Sequence, residues 1–115
     1  MSTATPGRDL YDRQLRFLLQ KDVDGLIETN YTADATLVSF GAVVRGQQAL
    51  KEYFRGYLEM LGDLVVESTD NFVETEDAVF FEATVRSSLG QARVYDAFAL
   101  RDGKIATHFT GVMSV

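Results

Sequence analysis

The sequence predicts an α+β domain, with helices gathered in the first half and an antiparallel sheet in the second. Three observations predict it. Up to Leu61 the apolar residues recur at helical spacings in three separate runs. From Leu64 onward they fall in four strand-like runs divided by turn residues. The length of 115 residues, 46% hydrophobic and 24% charged, is that of one ordinary globular domain. A chain of this size buries about two-thirds of its surface in one core. No repeat or linker divides it, so residues 1–115 read as a single unit.

Met1 to Thr5 read as a frayed terminus. Thr5 or Gly7 can open the first helix, because Pro6 is tolerated in a first turn. Leu10, Tyr11, Gln14, Leu15, Leu18 and Leu19 recur at spacings of one, three and four, which carries that helix to about Gln20. Asp22 is a plausible cap for a short second helix through Val23, Leu26, Ile27 and Asn30-Tyr31. Thr32-Ala33-Asp34 reads as a turn, Ala35 to Phe40 as a strand closed by Gly41, and Val43-Val44 as a short extended piece.

The third helix runs from about Gln47 to Leu61. Its stripe of Leu50, Tyr53, Phe54, Tyr57, Leu58 and Leu61 is wide enough to face a core, and Gly62 stops it. The runs Leu64 to Glu74, Ala78 to Leu89, Ala92 to Leu100 and Ile105 to Val115 follow as strands. Arg101-Asp102-Gly103-Lys104 is a hairpin signal, with Gly103 supplying a positive φ. The expected order is α-α-β-α-β-β-β-β, an antiparallel sheet with helices on one face.

Composition excludes several functions. Without cysteine the chain has no disulfide framework and no thiol nucleophile, and one histidine leaves no ligand set for a typical structural zinc. A net charge of −6 argues against nucleic acid as a partner. No apolar run approaches the roughly 20 residues of a membrane helix, and the N-terminus lacks the pattern of a secretory signal. The expected location is therefore the cytoplasm. The acidic excess is local. Between Gly56 and Val85 stand Glu59, Asp63, Glu67, Asp70, Glu74, Glu76, Asp77 and Glu82 with no Lys or Arg. Such a stretch can repel anions or recruit a basic partner, but its alternation with apolar residues reads more simply as the solvated face of two strands.

Four segments in order carry a family resemblance. They are Asp22-Val23-Asp24-Gly25-Leu26, Tyr31-Thr32-Ala33-Asp34-Ala35-Thr36-Leu37, Arg45-Gly46-Gln47-Gln48-Ala49-Leu50 with Tyr53-Phe54, and Asp96-Ala97-Phe98-Ala99-Leu100-Arg101-Asp102-Gly103-Lys104-Ile105. From about Leu10 to Met113 the chain resembles the nuclear transport factor 2-like superfamily, and within it the SnoaL-like and ketosteroid-isomerase-like proteins. The resemblance implies a cystatin-like cone, a curved antiparallel sheet wrapped around three N-terminal helices. It also implies an apolar mouth suited to a small hydrophobic molecule, no cofactor or metal, and a homodimer formed through the outer face of the sheet. This fold hosts enzymes and binding proteins alike.

Asp96 shares a strand face with Val94, Phe98 and Leu100, so its carboxyl is expected to be partly desolvated. The resemblance places it where isomerase members carry an oxyanion-hole carboxylic acid. The plainer alternative is an acid paired with Arg93 or Arg86, or one on the dimer face. His108 is the only imidazole. With a three-residue loop at Arg101–Gly103, Asp96 lies opposite His108 and the two form a candidate general base with its orienting partner. With a two-residue loop, Asp96 faces Phe109 and His108 points outward.

Steroid isomerase activity is not expected. Ser39 stands where the isomerases have their base, and Gln14 where they have the helix-one tyrosine. The further pocket candidates are Gln14, Tyr31, Leu37, Ser39, Tyr53, Phe54, Tyr57 and Phe98, with either Phe17 or Leu18. Two functions follow. One is a cofactor-free enzyme of the isomerase, cyclase or lyase type working through Asp96 and His108. The other is a non-catalytic module that binds a ligand or a protein.

Overall fold

The computed structural model describes residues 5–114. The expected fraying of Met1 to Thr5 lies outside them except at Thr5, which is ordered as a helix cap, and the expected end of the last strand at Val115 lies outside them as well. Helix α1 spans Pro6–Gln20, with Thr5 as its N-cap and Pro6 in its first turn. The missing N–H of Pro6 costs nothing there, because first-turn donors have no partner within the helix. Helix α2 spans Val23–Asn30, and its cap Asp22 accepts the Gly25 amide at 3.0 Å. Helix α3 spans Gln47–Leu61 and ends at Gly62, whose φ of 67° lies in the region that glycine tolerates best.

The six strands are β1 (Tyr31–Ser39), β2 (Ala42–Arg45), β3 (Val65–Glu74), β4 (Ala78–Ser87), β5 (Gly90–Arg101) and β6 (Lys104–Ser114). They form one sheet in the order β2-β1-β6-β5-β4-β3. The expected architecture stands, three helices with a curved sheet, and three details refine it. The extended piece at Val43-Val44 is strand β2, paired with the end of β1. Thr32-Ala33-Asp34 is not a separate turn but an irregular part of β1. Tyr31 already pairs with Ile105, and the Gln47 side chain takes the Tyr31 carbonyl at 3.1 Å. The third detail is that β1 and β6 run parallel, so the sheet is mixed.

The hairpin between β5 and β6 decides the site. Its loop is the two-residue one, Asp102-Gly103, with φ of 54° and 77° and with Arg101 opposite Lys104. That register alone would turn His108 outward. Ala106 then stands as an extra residue between the pairs Leu100–Ile105 and Ala99–Thr107, a β-bulge that shifts the face by one. Beyond it Phe98 is opposite His108, and both are buried. Ile105 and His108, three residues apart, thus both face inward, which an unbroken strand does not allow.

The core lies between the helices and the inward face of the sheet. Leu10, Tyr11, Leu26, Ile27, Leu50 and Phe54 meet Leu37, Val79, Phe81, Phe98 and Ile105 there. Tyr11 packs on Phe81 with ring centres 4.4 Å apart, and its hydroxyl bonds Thr69 of β3. Burial pushes this phenol above its ordinary pKa. Among the described residues, no helix is long and apolar enough to cross a membrane.

Candidate active site

Alternation along β5 aims Val94, Asp96 and Phe98 inward, and the Ala106 bulge brings His108 to the same face. With α1, α3 and the inward residues of β1, β3 and β4 they surround a cavity of about 430 Å³, of a size that holds a small organic molecule. Its wall is mostly apolar. Among its lining residues Asp96 is the only carboxylate, and none is Lys or Arg.

Nine of the ten residues singled out from the sequence line this cavity: Gln14, Leu37, Ser39, Tyr53, Phe54, Tyr57, Asp96, Phe98 and His108. Tyr31 does not. It is fully buried behind His108, and its hydroxyl meets two residues that do line the cavity, His108 and Gln14. Of the Phe17 and Leu18 pair, Leu18 lines the wall.

The imidazole of His108 is held on every side. Its Nε2 lies 2.6 Å from Asp96 Oδ1, and its Nδ1 lies 2.8 Å from the Tyr31 hydroxyl. Phe98 meets it edge-on at 4.7 Å, and Phe54 lies nearly parallel to it at 6.3 Å. Tyr31 accepts the Gln14 side-chain amide at 2.8 Å, and Gln14 accepts that of Asn30 at 2.9 Å. Burial holds the Tyr31 hydroxyl far above its ordinary pKa, so it keeps its proton. Burial, with the Asp96 charge second, pushes Tyr57 up to about 12.

The sequence places Asn30 on the second helix, but neither Asn30 nor Arg13 stood among the site candidates. The signal for Asn30 was present, because it falls three and four residues after Ile27 and Leu26, on the buried side of α2. Among the described residues, no three His, Asp or Glu side chains converge as metal ligands.

The family model for the SnoaL-like domain matches residues 11–108. The chain belongs to this family. No curated protein matches it. Solved structures place the SnoaL-like domain among the nuclear transport factor 2-like folds. A protein of that kind from Anabaena variabilis is 22% identical, with a TM-score of 0.78 over 100% of this chain and 96% of that one. A protein from Sinorhizobium meliloti, proposed to be a polyketide cyclase, is 20% identical, with a TM-score of 0.77 over 89% of this chain and 93% of that one. TerC, co-crystallised with polyporic acid, is 18% identical, with a TM-score of 0.77 over 92% of this chain and 90% of that one. At these identities the likeness is one of fold.

Proposed function

We propose that this SnoaL-like domain binds a small, largely hydrophobic carbonyl compound and moves a proton on it without a cofactor. One observation carries the reading. The only carboxylate of an apolar cavity is bonded to the chain's only imidazole, 2.6 Å away, in a wall otherwise without charge. In such a wall a proton next to a carbonyl passes to the Asp96–His108 pair and returns at the same or a neighbouring carbon. This is the work of an isomerase, cyclase or lyase. Tyr53 and Tyr57 line the same cavity and supply hydroxyl donors for the oxygen on which charge develops. Gln14, Leu37, Ser39, Phe54 and Phe98 shape the wall around the ligand, and Tyr31 supports it through His108. A cavity without a cation selects against anionic ligands. The ligand carried by TerC supports the size of the guest, and the cyclase proposal for the Sinorhizobium protein supports the class of reaction.

The test is deuterium uptake from heavy water at the α-carbon of β-tetralone, an uncharged bicyclic ketone. The chain is expected to accelerate uptake over buffer, and Asp96→Asn to lose about 10²–10⁴-fold of that acceleration. Saturable binding of β-tetralone with no acceleration would replace the enzyme by the binding-module reading.

The domain is further proposed to pair with a second copy through the outer sheet face. Val73, Phe80 and Phe109 are 60%, 38% and 43% exposed there, beside Ala97 and Ala99. Patches of this kind mark association surfaces. Sedimentation at the mass of two chains is expected, and Phe109→Glu is expected to give one.

A further inference from the structure

The proposed acid/base pair leaves open which partner holds the proton and which atom takes the next one. A line of hydrogen bonds answers both, and it begins outside the cavity. Arg13 Nε donates to Asn30 Oδ1 at 2.9 Å, and Asn30 Nδ2 donates to Gln14 Oε1 at 2.9 Å. Gln14 Nε2 donates to the Tyr31 hydroxyl oxygen at 2.8 Å, which lies 2.8 Å from His108 Nδ1. His108 Nε2 meets Asp96 Oδ1 at 2.6 Å. Asn30, Gln14, Tyr31 and His108 are all at most 3% exposed, so no solvent competes for these groups.

The two ends of the line have fixed polarity. A guanidinium only donates and a carboxylate only accepts. Turning the Asn30 amide over would point its NH₂ at the Arg13 N–H, donor against donor, so its oxygen must face Arg13. Its nitrogen then faces Gln14, and Gln14 must present its oxygen to Asn30 and its nitrogen to Tyr31. With that amide on the Tyr31 oxygen, the single phenolic proton has one acceptor within reach among the described residues, His108 Nδ1. Nδ1 must therefore carry the lone pair and Nε2 the proton. An imidazolium would leave the Tyr31 proton without an acceptor in a buried site.

We infer that Arg13, Asn30, Gln14 and Tyr31 form a one-way relay that fixes His108 as the Nε2–H tautomer. The imidazole is then the donor that orients Asp96, and Asp96 Oδ2 is the proton-accepting atom. Oδ2 takes no hydrogen bond among the described residues, while Oδ1 is held by the imidazole. Arg13 and Asn30 do not line the cavity and act as positioning residues. This inference rests on the acid/base reading for its consequence, but its direct readout is not activity.

Long-range proton–nitrogen correlation spectra of the whole chain at neutral pH report the His108 tautomer. The expected result is a protonated, pyrrole-type Nε2 and a bare, pyridine-type Nδ1. A proton on Nδ1 alone, or on both nitrogens, would overturn the relay. Gln14→Glu keeps the shape and makes position 14 accept from both sides, so Tyr31 turns its proton away and Nδ1 is expected to gain one. An unchanged Nδ1 in that variant would assign the tautomer to Asp96 alone and remove the relay. Should Gln14→Glu fail to fold, Asp96→Asn answers the same question. The relay keeps Nε2 protonated without the carboxylate, whereas a mixture of tautomers overturns it. The expected tautomer with no deuterium uptake leaves the relay standing and rejects the proposed function. Uptake with the wrong tautomer does the reverse.

Discussion

The two faces of the β3–β6 sheet hold their polar groups in opposite physical states. On the outward face the groups are charged and wet. Arg86 bonds Glu67 at 3.0 Å, and Arg93 lies 3.6 Å from Glu82 and 3.7 Å from Asp70. Thr84 and Ser68 donate to Asp70, and Gln91 donates to Glu67. On the inward face a neutral line of amides, phenol and imidazole runs from one half-buried guanidinium to one carboxylate. Water screens the outward set and lets each pair re-form in other ways. Nothing replaces a lost partner in the inward set, so each bond there dictates the next. The outward face thus tolerates charge, and the inward face specifies the position of a proton.

Breaking the inward set has the larger effect on stability. Asn30→Ala leaves the buried Gln14 oxygen unpaired and is expected to cost about 2 kcal/mol in urea unfolding. A loss below a few tenths would mean that water enters the site. Alkaline pH sharpens the comparison from the same side. Tyr57 in the folded chain titrates at about 12, above an unfolded tyrosine, and burial raises Tyr31 as well. Above pH ~10 the unfolded chain releases tyrosine protons that the folded chain keeps, so stability falls as pH rises toward 12. Tyr57→Phe should flatten part of that fall in thermal melts.

The outward set is expected to matter less. Arg93→Ala should cost under about 1 kcal/mol, and the difference from the parent should shrink in high salt. Acid pH tests the same ladder. Hydrogen bonds from Gln91 and then Arg86 lower the Glu67 pKa, and those from Thr84 and then Ser68 lower that of Asp70. A lowered carboxyl contributes stability above the ordinary range near pH ~4 and loses it as pH falls through the folded value. Urea midpoints of Glu67→Gln and the parent should therefore converge in acid, and a difference that persisted would assign the loss to packing.

Local chemistry made much of the fold legible. Pro6 after Thr5, the Asp22 cap, the Gly62 stop and the Asp102-Gly103 turn each act within a few residues of themselves, and the structure has all four. The parallel contact of β1 with β6 joins segments far apart in the chain, so no short-range pattern announced it. The direction of His108 depended on two local features that act in opposition. The turn has two residues, which alone would aim the histidine outward, yet it faces the same side as Asp96 because the bulge at Ala106 shifts the alternation by one. Alanine favours no bulge, and its neighbours read as ordinary strand. Gln14 stood out through its place in an apolar stripe, whereas Arg13 reaches His108 through three intervening side chains, which no sequence pattern displays.

The bulge makes Ala106 a parity bit for the whole end of the chain. Were it paired opposite Ala99 instead of left out of the ladder, every residue after it would change face, with Phe109 toward Asp96 and the imidazole on the outer side. Deleting Ala106 is the silent change. Ile105 would then join Thr107 directly, the pairs from Ala99–Thr107 onward would stay as they are, and His108 would still face the cavity. In comparing related chains, a histidine three residues after the inward Ile105 position therefore needs a bulge to reach the site, whereas one two residues after it does not.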